Sequence, residues 1–127
     1  MVGYIGNIEE ITLANDFFRR VLFTGVHSQL VAMSLQPNED VGVEVHSNVD
    51  QFFRVEEGEG KVILDGEEHP IKDGDAIVVP AGTEHNVINT SATKKLKLYT
   101  IYSPSQHKDR VVHKTKAEAI ADETNHV

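Results

Sequence analysis

The stretch of sequence that decides the fold is GDAIVVPAGTEHNVIN, residues 74–89. Two short apolar runs, Ala76–Val79 and His85–Asn89, flank a turn segment that contains Pro80 and Gly82. Short β-branched runs bounded by glycine, proline and asparagine are typical of β-strands, and glycine supplies the positive φ that tight turns need. The stretch therefore predicts two strands joined by a tight turn, with a histidine at the start of the second strand.

A second cluster of polar residues lies about thirty residues earlier, with the spacing Glu-x-His-x4-Gln-x6-Gly from Glu44 to Gly58. Side chains alternate faces along a strand, so Glu44 and His46 point the same way. His85 is placed toward the interior together with Val87 by the same alternation. Because buried charge is costly unless it is paired or bound to an ion, these side chains together indicate a metal at the mouth of a small β-barrel.

Two neighbouring residues could supply a fourth ligand, the carboxylate of Asp50 or the amide oxygen of Gln51. The carboxylate is the better ligand chemically, but the strand register favours the amide. With Gln51 inward, Phe53 and Val55 share its face, whereas the other register would bring the charged Arg54 into the core. The expected metal ligands are Glu44, His46, Gln51 and His85.

Composition limits the classes of function that this chain can serve. The 127 residues include no cysteine, so disulfides and thiolate chemistry are excluded and any metal must have nitrogen and oxygen ligands. A formal net charge of −8 argues against nucleic-acid binding, which needs a concentrated basic surface. The apolar runs are far too short to span a bilayer, the first residues do not resemble a signal peptide, and we expect a cytoplasmic protein.

The pattern along the chain predicts an all-β domain followed by one short helix. Short β-branched and aromatic runs alternate with turn residues about every eight to twelve residues, which favours a sandwich or barrel. Asp65-Gly66 predicts a two-residue hairpin turn, and Thr115-x-x-Glu118 is a capping box that predicts a helix over about 115–122. The predicted strands are Phe18–Thr24, Gln29–Leu35, Gly42–His46, Gln51–Glu56, Gly60–Leu64, Glu67–Ile71, Ala76–Val79, His85–Asn89 and Lys95–Tyr102.

These motifs resemble those of the cupin superfamily over roughly residues 28–102. The second cupin motif, G-x5-P-x-G-x2-H-x3-N, is matched at every position over residues 74–89, and the first appears over about 38–58 with Asn38 in place of its glycine. Glu44 stands where the family usually has its first histidine, and Gln51 where it has its glutamate. The carboxylate has in effect moved between two positions, so the charge of the ligand set is retained.

The resemblance implies a double-stranded β-helix, or jelly-roll barrel, with residues 1–127 forming one cupin domain that pairs as a homodimer. It implies a divalent ion such as Mn²⁺, Fe²⁺, Ni²⁺ or Zn²⁺, and an enzyme acting on a small polar metabolite as a sugar or sugar-phosphate isomerase or a dioxygenase does. The alternative is a non-catalytic module that binds a small molecule or metal. The fold alone does not choose between these activities.

Several other polar residues carry weaker expectations. Arg19, Arg20 and Arg54 are interpreted as surface or interface ion pairs, and the cluster Lys94-Lys95-x-Lys97 as the solvated face of a strand. Tyr102 either lines the pocket or packs in the core. The polar stretch 103–113 is expected to be a loop, and its two histidines, His107 and His113, raise the alternative that this loop folds over the barrel mouth.

Overall fold

The computed structural model describes residues 2–122 and 126–127, and within them the chain is predominantly β-structure. Each predicted strand forms within a residue of its expected bounds, apart from Gly42–His46. The elements in chain order are α1 (Ile8–Ala14), β1 (Arg19–Thr24), β2 (Gln29–Leu35), β3 (Asp50–Glu57), β4 (Glu59–Leu64), β5 (Glu67–Lys72), β6 (Ala76–Val79), β7 (His85–Asn89), β8 (Leu96–Ser103), β9 (Val112–His113) and α2 (Lys116–Ala121).

The strands form two antiparallel sheets around one core. The larger sheet has the order β6-β3-β8-β2-β1-β9, and the smaller has the order β5-β4-β7. A single cluster of buried apolar side chains draws Met33, Phe53 and Leu98 from the larger sheet and Val62 and Val87 from the smaller. Each such side chain contributes roughly 1.5–3 kcal/mol by leaving water. The predicted jelly-roll barrel is confirmed.

The turn chemistry read from the sequence is also confirmed. Asp65 and Gly66 both have positive φ, at 47° and 84°, as the two central positions of a type I′ hairpin turn require. Asn38, which replaces a glycine of the first motif, adopts a φ of 64°. Asparagine tolerates this left-handed conformation better than most residues, so the substitution leaves the turn intact.

The predicted strand Gly42–His46 is wrong, because this segment is irregular. Gly42 has a φ of 104°, which interrupts the extended run. The segment is held instead by isolated contacts, among them a bridge in which the backbone N–H groups of Glu44 and His85 each donate to the other's carbonyl oxygen at 2.9 Å. Val43 and Val45 point outward, so Glu44 and His46 still share the inner face.

Helix α1 was not predicted from the sequence. Asn7 caps it, with Oδ1 accepting a hydrogen bond from the Glu10 N–H at 3.0 Å. The helix buries little of its surface, and its buried residue is Thr12. A seven-residue helix is marginal by itself and depends on packing against the larger sheet.

Helix α1 also overturns the expectation that Lys97 is solvated. Lys97 does lie on the outer face of β8, but it is only 7% exposed because the end of α1 covers it. Its ammonium group donates to the carbonyl oxygens of Leu13 and Asn15 at 2.7 and 2.9 Å and to the carboxylate of Asp16 at 2.9 Å. Lys97 therefore caps the carboxyl end of the helix from a neighbouring strand.

The tail follows its predicted course with one addition. Helix α2 begins after Thr115, whose side chain accepts from the Glu118 N–H, so the predicted helix and its N-terminal cap are confirmed. The predicted loop 103–113 ends in the short strand β9, where His113 pairs with Arg19 of β1. Among the residues that the structure describes, no helix is long and apolar enough to cross a membrane.

Candidate metal centre

The side chains predicted to bind metal meet at one end of the barrel. Glu44 and His46 come from the irregular segment, Gln51 from β3 and His85 from the start of β7. One donor atom from each of Glu44, His46 and His85 lies within 4.8 Å of the other two. Gln51 and His85 are each 2% exposed, whereas Asp50 lies on the surface and accepts a hydrogen bond from the Ala81 N–H.

The hydrogen bonds of His85 and Gln51 leave two lone pairs facing each other. His85 Nδ1 lies 3.0 Å from the carbonyl oxygen of Thr83, which can only accept, so this nitrogen carries the proton. Gln51 Nε2 donates to Thr100 Oγ1 at 3.0 Å, which turns its Oε1 toward His85. His85 Nε2 and Gln51 Oε1 are 3.1 Å apart. Two acceptors at this distance repel unless a cation lies beside them.

His46 and Glu44 are close but not aligned as a hydrogen-bonded pair. His46 Nε2 lies 2.8 Å from Glu44 Oε2. The same nitrogen is nonetheless a buried atom without a hydrogen-bond partner, so the contact fails on angle and not on distance. Donor atoms that approach without pointing at one another are the arrangement expected of groups that ligate a common ion.

The electrostatic environment keeps Glu44 ionised. Burial raises its pKa, but the contact with His46 and the positive charge of Arg19 outweigh burial and hold the pKa below its usual range. Two imidazole nitrogens, one carboxylate oxygen and one amide oxygen fit a divalent ion of the Mn²⁺ to Zn²⁺ series. The described residues thus form a candidate metal site.

Arg19 lies beside this site, which contradicts its interpretation as a surface residue. It is 5% exposed, and its Nη1 is 3.2 Å from Nδ1 of His113 on β9. Its Nε is buried with no hydrogen-bond partner. The sequence held one signal, because alternation places Arg19 on the same face as the buried Val21, whereas Arg20 is exposed.

Tyr102, His107 and His113 connect the predicted loop to the site. His107 is 2% exposed, and one of its ring nitrogens is 3.2 Å from the Tyr102 hydroxyl. The Tyr102 ring meets the His46 ring edge-on, with centroids 6.0 Å apart. Burial and the charge of Glu44 raise the pKa of Tyr102, so it remains a neutral phenol. The loop that carries the two histidines thus packs against residues that surround the candidate ligands.

A cavity of about 320 Å³ opens between β1 and α2, with Arg19 and Glu44 in its wall. A larger cleft of about 900 Å³ lies elsewhere, around Gly58, Lys72 and Lys95, and none of the candidate metal ligands lines it. The smaller cavity is the one relevant to the chemistry because Glu44 belongs to both it and the metal site. Its other lining residues are Phe18, Val41, Lys116, Ala119, Ile120, Asp122 and His126.

The fold and this cluster define a jelly-roll protein with a candidate metal site at one end of the barrel. Residues 31–102 match the family model of the cupin domain. The chain is 49% identical over 126 residues to the uncharacterized YrkC protein of Bacillus subtilis, covering 94% of this chain and 67% of that one. The chain belongs to the cupin-domain family.

Solved structures agree with this assignment. A crystal structure of a Bacillus halodurans protein superposes with a TM-score of 0.91 at 47% identity, covering 94% of both chains. A Thermotoga maritima protein described as a predicted oxalate decarboxylase superposes with a TM-score of 0.58 at 26% identity, covering 61% of this chain and 66% of that one. The first likeness extends along almost the whole chain, the second along the barrel.

Proposed function

We propose that the protein is a divalent-metal-dependent enzyme whose ion is held by Glu44, His46, Gln51 and His85. The observation that carries this proposal is the set of unsatisfied donor atoms at the site. His46 Nε2 is buried and lies 2.8 Å from Glu44 Oε2 without a hydrogen bond between them, and His85 Nε2 faces Gln51 Oε1 at 3.1 Å. Burying unsatisfied polar atoms costs stability, and an ion would satisfy them together.

The four side chains have different tasks in this proposal. Glu44 supplies the negative charge, and the two histidines supply nitrogen donors. Gln51 adds a neutral oxygen held in place by Thr100. The bound ion would supply Lewis acidity toward an oxygen of a small polar metabolite.

Two reaction classes follow from the family, namely isomerisation of a sugar or sugar phosphate and oxygen-dependent cleavage. The likeness to the predicted oxalate decarboxylase of Thermotoga maritima adds small carboxylic acids to the candidate substrates. Tyr102 would take part as a hydrogen-bonding phenol and not as a base, because its pKa is raised. His107 would hold the hydroxyl of Tyr102 in position.

The first test is metal analysis of protein purified without added metal. We expect about one divalent ion per chain, lost in both Glu44→Ala and His85→Ala because each removes a donor. His69→Ala is the matched control, since His69 is an exposed histidine of β5 and its loss should leave the metal content unchanged. Absence of metal from the wild type, or metal retained in both site variants, would contradict the proposal.

The second test separates an enzyme from a binding module. Turnover of sugar phosphates, and oxygen uptake with dicarbonyl or small carboxylic substrates, should be abolished by the same two substitutions. Stoichiometric metal without turnover on any of these substrates would instead support the non-catalytic alternative.

We also propose that the chain forms a homodimer through the outer face of the larger sheet. Strand register places an apolar row straight across five strands of this sheet. The member at the β6 edge is 65% exposed, and the others are half-buried. The row consists of Val78, Phe52, Ile101, Leu30 and Phe23. A continuous apolar row of this kind is characteristic of an interaction surface.

A further inference from the structure

We propose that Arg19 and the cavity beside it form a subsite for the carboxylate group of a small organic acid. This inference deepens the proposed function, since it names the substrate class of the same site. It starts from the burial of Arg19, which is 5% exposed. A guanidinium is protonated at any pH that a folded protein tolerates, so a buried arginine calls for an anion.

The hydrogen bonds of Arg19 leave part of its guanidinium unused. Nη1 contacts Nδ1 of His113 at 3.2 Å, and a further hydrogen bond joins Arg19 to the Tyr102 side chain. Nε has no partner although it is buried. Arginine binds carboxylates through two parallel N–H donors, so the edge that carries Nε is suited to this ligand.

The charges around the cavity favour a monoanion. Glu44 also lies in the cavity wall, but in the proposed enzyme its charge is committed to the metal ion. Lys116 lies in the same wall and is already paired with Asp40. Of the arginine and lysine residues described in this wall, Arg19 is therefore the one left to neutralise a ligand, and a phosphate dianion would face the Glu44 and Asp122 carboxylates with too little positive charge. A carboxylate matches the charge of one guanidinium.

The size and polarity of the cavity limit the rest of the ligand. Its volume is about 320 Å³, near the lower end of the range for small-molecule sites. Phe18, Val41, Ala119 and Ile120 give it apolar walls. The subsite would take an organic acid with a short apolar or weakly polar chain. Because Glu44 lines the same cavity, a ligand held by Arg19 would lie against the metal centre.

His113 is the residue that positions Arg19. The register of β1 with β9 sets the two residues opposite each other. Since arginine only donates, His113 Nδ1 must accept, and the proton of the ring therefore lies on Nε2. This nitrogen is 3.0 Å from Asp122 Oδ2, so the carboxylate fixes the tautomer that receives Arg19.

The test is isothermal titration calorimetry of the metal-loaded protein with propionate, its uncharged analogue propionamide, and inorganic phosphate. Propionate should bind, propionamide should bind at least about 10-fold more weakly, and phosphate should bind more weakly than propionate. Arg19→Gln should weaken propionate binding by about 10-fold or more while the metal content stays at the wild-type level. Arg20→Gln is the matched control. Because Arg20 is exposed, this variant should bind propionate as tightly as the wild type does.

A second variant keeps the proposal testable if Arg19→Gln does not fold. Ala119→Phe on α2 adds bulk to the cavity wall at a position outside the candidate ligand set and should abolish propionate binding with metal retained. Propionate binding that survives both variants, or phosphate binding more tightly than propionate, would overturn the subsite. If the protein binds metal but Arg19→Gln does not weaken propionate binding, the subsite is rejected and the proposed enzyme is not. Arg19-dependent binding in a protein that takes up no metal rejects the proposed enzyme and leaves the subsite standing.

Discussion

At the scale of single residues, Gln51 shows how packing prepares a donor atom. Its amide is 2% exposed, and Thr100 accepts from the nitrogen, so the oxygen is turned toward His85. In this way a core threonine decides which atom of the amide faces the candidate metal site. Residues that orient a ligand in this manner commonly matter nearly as much as the ligand itself.

Thr100→Val should weaken metal binding by roughly 10- to 100-fold, because valine has the same shape but cannot accept the hydrogen bond that orients Gln51. Competition with a fluorescent chelator at neutral pH would measure the change in affinity. Thr90→Val, at an exposed position beyond β7, is the matched control and should bind metal as the wild type does. Equal affinities for the two variants would show that the orientation of the amide is unimportant.

At the scale of elements, helix α1 and strand β8 depend on each other through Lys97. The helix carries no basic residue in its own last turn, and Lys97 of β8 supplies the missing positive charge. Its ammonium group satisfies two carbonyl oxygens near the end of the helix that would otherwise be unpaired. The helix is thereby attached to the barrel by charge as well as by packing.

Lys97→Met should lower the free energy of unfolding by about 1–3 kcal/mol at neutral pH, because two backbone acceptors lose a charged donor. Urea denaturation of both proteins measures the difference. Lys94→Met is the control, since this lysine is exposed and its replacement should change the stability by about 0.5 kcal/mol or less.

The same pair of proteins should respond differently to acid. Hydrogen bonds from Lys97 and Lys95 lower the pKa of Asp16 from 3.8 to about 2. The stabilisation by Asp16 is therefore complete above pH about 4 and is lost as the pH falls through about 2. We expect the stability gap between the wild type and Lys97→Met to narrow over that window, and a gap independent of pH would show that Asp16 does not contribute.

The strands could be predicted from the sequence, whereas some of what covers them could not. Alternating burial in β3, with Phe53 and Val55 inward, is a local pattern of period two and appears directly in the order of residues. Helix α1 has no comparable pattern, because it is short and buries little of its own surface. Lys97 was placed on the correct face, but its burial depends on a helix more than 80 residues away in sequence.

Some residues of the candidate site could likewise be predicted from the sequence, and others could not. The four expected ligands follow from local spacing and register, and the structure brings their side chains together. Arg19 was missed because the residue that holds it, His113, lies 94 positions further along the chain. Partners this distant leave no signal in a single sequence beyond the alternation that sets Arg19 beside Val21.

At the scale of the whole molecule, the two faces of the larger sheet serve different purposes. The inner face contributes Phe53, Leu98 and Tyr102 to the core and borders the candidate site. The outer face is covered by α1 at one end and carries the apolar row, centred on Phe52 and Ile101, at the other. A second copy of the chain is the partner that we propose for this row.

Phe52→Lys should convert the dimer to a monomer, because it places a charge in the centre of the apolar row. Light scattering coupled to size-exclusion chromatography at micromolar concentration measures the mass. Ile63→Lys, on β4 of the smaller sheet, is the matched control and should remain dimeric. A monomeric wild type, or a dimeric Phe52→Lys variant, would contradict the proposed dimer interface.

The chain of contacts from Arg19 through His113 to Asp122 has a consequence for the order in which the molecule is made. A ribosome synthesises β1 early, but His113 and Asp122 emerge only after β1–β8 are complete. A nascent chain could therefore assemble the four candidate ligands while its arginine still lacked these two partners. In the proposed enzyme, a translation product truncated before His113 would keep the candidate metal ligands and lack the residue that positions Arg19, so selectivity for an acid would be the last property that biosynthesis confers.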